Sequence, residues 1–199
     1  APLATPVPPG ERGLGDTPPW EAHPHALLGS GRDALRLLLH DLSPGRVWVP
    51  SYLCQEVVGA VAEFATEVLV YPDGPLDDAA GVVPDLRAGD AVLTVAYFGV
   101  RAPLAVPTPG PVGQDEISVI EDHTHGPCAP WARASGADYC IASLRKLWPL
   151  ADGGALWSPS GREVPDAPPT LPELERASGV KLAGMELKAR YLRGEPVSK

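Results

Sequence analysis

Two acids and one amine stand where chemistry could be done. Glu121 and Asp122 close an apolar run, Ile117 to Ile120, and Arg145-Lys146 follow a second run, Tyr139 to Ala142, after Ser143-Leu144. Lys146 is the only lysine in the first 180 residues of a chain that otherwise uses arginine. Leu144, Leu147, Trp148 and Leu150 flank it, surroundings in which a charged amine is costly unless paired or neutralised. A lysine that can lose its proton suits Schiff-base chemistry, for which arginine is no substitute. An ordinary lysine with its stem along apolar surface is the plainer reading of the same residues.

The elements that must position these groups can be read from short apolar runs bounded by turn residues, the signature of buried strands. Strands are expected at 47–50, 67–71, 91–95, 117–120, 139–142 and 155–157, the last after the turn Asp152-Gly153-Gly154. Ser30, with Asp33 three residues on, predicts the start of a helix whose face is Leu35, Leu38, Leu39 and Leu42. A second helix is expected over 55–65 and a third over 171–193. Strand, helix and strand between 47 and 71 imply a parallel crossover. In such open sheets ligands sit at the carboxyl ends of the strands, where Asp122 and Lys146 fall. The Gly29-Ser30-Gly31 turn opening a helix is either plain capping or an anion cradle.

The two stretches VIEDHTHG and ASLRKLWPLADGGAL resemble the DegT/DnrJ/StrS family of sugar aminotransferases, pyridoxal-phosphate (PLP) enzymes of fold type I. The resemblance spans roughly residues 26–193, with its specific motifs confined to 117–157. It implies an α/β fold: a PLP-dependent fold type I large domain, mostly parallel, with helices on both faces and an antiparallel strand at 154–157. Residues 1–25 would be a proline-rich arm, 26–160 the cofactor-binding domain, and 161–199 a linker and helix leading towards a small domain that this sequence lacks.

By position, the resemblance makes Asp122 the partner of the cofactor's pyridine nitrogen and Lys146 the Schiff-base residue. His125 falls near the cofactor hydroxyl and Ser143 near its phosphate. Gly31, Arg32 and Asp33 become phosphate contacts through their main-chain amides, with the Asp33 carboxylate turned away. Cys54 stands where family members stack an aromatic ring on the pyridine, so either its sulfur or the ring of Tyr52 takes that place. Lysine rather than histidine at 146 favours an aminotransferase over the dehydratase branch. The implied partners are a small amino donor, a keto acceptor (a keto-sugar nucleotide by analogy) and a second copy in a homodimer. The competing reading is a non-catalytic remnant of the fold that binds PLP or a partner.

His123, His125 and Cys128 also spell H-x-H-x2-C, but no paired fourth ligand follows at a zinc-site spacing, so no metal site is expected. The formal net charge of -9 argues against nucleic acid or anionic membrane as the main partner. No apolar run is long enough for a membrane span, and the start of the chain does not read as a signal peptide. Three cysteines, at 54, 128 and 140, suggest a reducing, cytoplasmic setting. Sixteen of the 25 prolines gather in an arm, a loop at 103–112 and the 159–172 segment; Asp73, Asp77 and Asp78 are expected to be solvated, and Trp20 to anchor the arm.

Overall fold

The computed structural model describes residues 17–78, 85–106 and 116–196. Most of the proline-rich arm and of the 103–112 loop lies outside them. Seven strands form one sheet: β1 (His25–Leu28), β2 (Arg46–Pro50), β3 (Glu67–Tyr71), β4 (Asp90–Val95), β5 (Ser118–Asp122), β6 (Tyr139–Ser143) and β7 (Gly154–Trp157). Their order is β1-β7-β6-β5-β4-β2-β3. From β6 to β3 neighbours are parallel, whereas β7 runs against both β6 and β1. The expected parallel crossover pairs β2 with β3, and the expected antiparallel strand is β7.

The central strands are buried on both faces, which explains why their sequences are apolar runs rather than alternations. On one face lie α1 (Gly31–Leu42) and α2 (Gln55–Ala62). Ala34, Leu35, Leu38 and Leu39 of α1 meet Val47, Val49, Leu93, Ile120, Ile141 and Leu156 from the sheet. These positions recur at helical spacing, so one stripe of α1 is wholly removed from water. The opposite face is covered by a 3-10 turn at Pro19–Ala22, by segments around Leu86 and Leu104, and near the short α3 (Pro130–Arg133). Trp20 anchors this cover as expected: it is buried, its ring 5.9 Å from Trp157 and 6.4 Å from Trp148.

Three departures from the sequence reading have physical causes. β1 was not foreseen, because His25-Ala26-Leu27-Leu28 has no β-branched residue and is held as a strand only by pairing with β7. Asp73 is not solvated: it is buried in an ion pair with Arg101, whose guanidinium also covers the Tyr97 ring at 5.3 Å. Burial pushes the Asp73 carboxyl up while Arg101 pulls it back towards the charged form. α4 (Pro172–Leu192) forms where expected yet buries none of its residues; Ser178 and Lys181 tie it to Asp152 and the Ala151 carbonyl.

The helix α1 begins where three backbones meet. Gly153 N–H donates to Gly29 O at 2.7 Å, and Leu144 N–H donates to Gly153 O at 3.0 Å. A Cβ on Gly154 would lie 2.2 Å from both Ser30 C and Ser30 O, inside the peptide itself. A Cβ on Gly31 would press on Ser143 at 3.1 Å. Both glycines are required by close approach of main chains. Accordingly Gly154→Ala is expected to lower the unfolding midpoint severely or prevent folding. Gly179→Ala, in exposed α4 with nothing within 4 Å of a new Cβ, should leave the midpoint unlowered and add about 0.5–1 kcal/mol of helix stability. Thermal unfolding followed by circular dichroism compares the two.

Candidate functional site

At the carboxyl ends of β5 and β6 lies a cavity of about 190 Å³. α1 supplies Ser30, Gly31, Arg32 and Leu35 to its wall, and the start of α2 supplies Cys54, Glu56 and Val57. The strand ends add Asp122, Thr124, Ile141 and Ser143, and the turn after β6 adds Arg145 and Lys146. Six of the sequence-nominated residues therefore share one cavity: Gly31, Arg32, Cys54, Asp122, Ser143 and Lys146. Asp33 and His125 are not among the residues that line it.

Asp122 is buried, and one carboxylate oxygen accepts the Thr124 N–H at 2.8 Å. Thr124 in turn accepts the buried Ser143 N–H on its hydroxyl at 3.0 Å. This threonine was missed by sequence reasoning, since a single Thr after an acid pair carries no recognisable signal. It fastens the end of β5 to the end of β6 and so fixes the acid relative to the Lys146 turn.

At the other wall Ser30 caps α1, accepting the Asp33 N–H at 3.2 Å and donating its hydroxyl to the Asp33 carboxylate at 2.7 Å. The Asp33 amide is thus engaged by the cap, and its carboxylate lies 3.6 Å from Arg36. The amides of Gly31 and Arg32 open the helix without intrahelical acceptors, and the positive end of the helix dipole stands behind them. A helix start with open amides favours negative charge over positive beside it.

Lys146 is exposed, and so are Leu147, Trp148 and Leu150, so the desolvation anticipated from its apolar neighbours is not met in this chain. Those side chains face outwards and take no water from the amine. Its charge is nonetheless felt within the site. Glu56 is held below the usual carboxylate range, first by the Cys54 thiol that donates to it, then by its own backbone, with Arg32 and Lys146 adding attraction. His125 is pushed below its ordinary value by burial first and by the Lys146 charge second, against the pull of Asp122.

The ring expected over the cavity is not supplied by Tyr52. Cys54 borders the space, while Tyr52 packs edge-on against Tyr97 and Phe98, at 5.8 and 6.3 Å. Tyr97 is core: buried, its hydroxyl donating to Tyr52 O at 3.0 Å. His125 lies flat on Phe98, centroids 4.8 Å apart, and its Nδ1 accepts the Phe98 N–H at 3.4 Å. Phe98 has a φ of 53°, uncommon for an aromatic residue, so this corner holds backbone strain.

No family model matches the sequence, and no curated protein matches it. Solved structures do. A sphingosine-1-phosphate lyase from Burkholderia pseudomallei is 17% identical, with a TM-score of 0.51 over 80% of this chain and 48% of its own. An apo-form Streptococcus pneumoniae protein assigned as a sugar aminotransferase is 16% identical, with a TM-score of 0.50 over 84% of this chain and 46% of its own. The chain has the fold of type I PLP enzymes. It spans just under half the length of these two neighbours, and identities this low speak to the fold alone. Among the described residues, no helix is long and apolar enough to cross a membrane.

The Thr124 link can be tested without any ligand. Thr124→Val removes the acceptor of a buried N–H and should cost about 1–3 kcal/mol in urea unfolding. Thr124→Ser, which keeps the hydroxyl, should recover most of that loss.

Proposed function

We propose that this chain is the cofactor-binding part of a PLP-dependent aminotransferase, transferring an amino group from a small donor to a keto acceptor. The observation that carries the reading is one cavity bordered by a buried acid, a lysine and the open amides of a helix N-terminus. This donor set fits PLP: an anion end for the phosphate, a carboxylate for the pyridine nitrogen and an amine for the aldehyde. Gly31 leaves the phosphate end without a side chain in the way.

Bound, PLP supplies an aldehyde that condenses with amines and a ring that takes up electrons from the substrate carbon. Each residue then has a defined task. The Gly31 and Arg32 amides, with the Ser143 hydroxyl, bind the phosphate. Asp122, fixed by Thr124, holds a proton at the pyridine nitrogen. Lys146 would hold the aldehyde end of the cofactor and move a proton at the substrate carbon, a general acid–base role. By the resemblance His125, whose ring burial and Lys146 push below its ordinary value, would serve the cofactor hydroxyl. Cys54, which lines the cavity, would supply a sulfur contact to the ring in place of a stacked aromatic side chain. By the resemblance to sugar aminotransferases the acceptor is a keto-sugar nucleotide. The exposed Leu147, Trp148 and Leu150 beside Lys146 suit cover by a second copy in a homodimer.

The test is the visible spectrum of the protein after adding PLP, followed by an amino donor such as glutamate. Bound absorbance that the donor bleaches supports transfer. Asp122→Asn, which can still accept the Thr124 N–H, should bind PLP yet slow the bleaching by about 100-fold or more. Absorbance that persists unbleached favours a PLP-binding remnant without turnover. No bound absorbance contradicts both.

A further inference from the structure

On the face of the sheet opposite the cavity, alternate residues of β5 and its continuation carry Glu121 and His123. In the parallel register of β5 and β6, Glu121 stands directly across from Cys140. The result is a compact cluster. His123 Nε2 lies 2.8 Å from Glu121 Oε2, Ser135 Oγ donates to the same oxygen at 2.7 Å, and Ser135 Oγ is 3.3 Å from Cys140 Sγ. The carboxylate, imidazole and thiol atoms all lie within 4.8 Å of one another. This trio is not the H-x-H-x2-C set of the sequence, because His125 stacks on Phe98 and Cys128 is exposed.

Ordinary core packing does not account for these residue types. His123 and Cys140 are completely buried, and Glu121 is 17% exposed, yet among the described residues no lysine or arginine pairs with this carboxylate. The other nitrogen of His123, Nδ1, is buried with no hydrogen-bond partner, so the ring's only polar commitment is to the cluster. A partly buried carboxylate whose partners are an imidazole, a hydroxyl and a thiol has room in its charge balance for a bound cation.

We propose that Glu121, His123 and Cys140 form a binding site for a borderline divalent transition-metal ion of the zinc type, separate from the cofactor cavity. One carboxylate, one imidazole and one thiolate are the ligand set such ions select over magnesium or calcium. Around a tetrahedral zinc, ligand atoms stand roughly 3.3–3.8 Å apart. The 4.0 Å from Cys140 Sγ to Glu121 is near that spacing, and the His123–Glu121 contact has only to open. The fourth position falls to the Ser135 hydroxyl or a water, on the side where Glu121 and half-buried Ser135 reach solvent. Carboxylate and thiolate together neutralise the ion, and binding releases the Cys140 thiol proton to solvent. Because binding releases this proton, affinity weakens on acidification.

The inference does not depend on PLP, and its test uses none. Cobalt(II) is titrated into chelator-stripped full-length Cys54→Ser/Cys128→Ser protein, in which Cys140 is the sole thiol. One equivalent should produce a sulfur-to-cobalt charge-transfer band together with the visible bands of a tetrahedral ion, and equimolar zinc should abolish both. Glu121→Gln, close in shape, should fold and weaken binding at least tenfold. Absence of the charge-transfer band, or undiminished affinity in folded Glu121→Gln, would overturn the site.

Discussion

The contact on which the structure depends is the meeting of main chains at Ser30 and Gly154. No side chain fits between them, and hydrogen bonds from Gly153 to Gly29 and from Leu144 to Gly153 lock the approach. It ties the start of α1 to the β6–β7 turn. Because Gly31 lies so close to Ser143 that an added Cβ would stand 3.1 Å from it, the helix amides, the end of β6 and the Lys146 turn meet at one corner. Position, more than the pairing of charges, is what this corner secures. The open amides of a helix start, a buried acid and an amine border one cavity.

Strand alternation divides the chemistry of this region between two faces. Asp122 and Ser143 end β5 and β6 on the side of α1, whereas Glu121 and Cys140 face the other way. A single-residue register slip between β5 and β6 would disassemble both groupings at once. Thr124 stands against such a slip, since it accepts from Ser143 while donating to Asp122. On the cavity side Glu56 feels the charges of Arg32 and Lys146, and His125 those of Lys146 and Asp122. The opposite side holds a carboxylate whose partners are a histidine, a serine and, at 4.0 Å, a thiol.

Much of this was legible in the sequence because it rests on local rules. Buried parallel strands are apolar runs, so six of the seven strands were found; the Ser30–Asp33 cap was readable from spacing alone. The turn glycines at 153 and 154 were visible, but not that Gly154 must admit Ser30. What stayed hidden depends on partners distant in the chain. β1 exists only by pairing with β7, and Asp73 is buried only because Arg101 folds back onto it. The exposure of Lys146 shows the converse limit. Its neighbours are apolar, yet they too face solvent, so composition nearby did not amount to burial. The apolar residues of α4 make the same point over a whole helix.

The central claim is that Lys146, of four lysines, is the one presented to a bound PLP. Borohydride reduction of the PLP-loaded protein, followed by proteolysis and peptide mass mapping, reads this directly. The account predicts a single stoichiometric pyridoxyl label on the peptide bearing Lys146. Label spread over Lys181, Lys188 and Lys199, with none concentrated on Lys146, would contradict it.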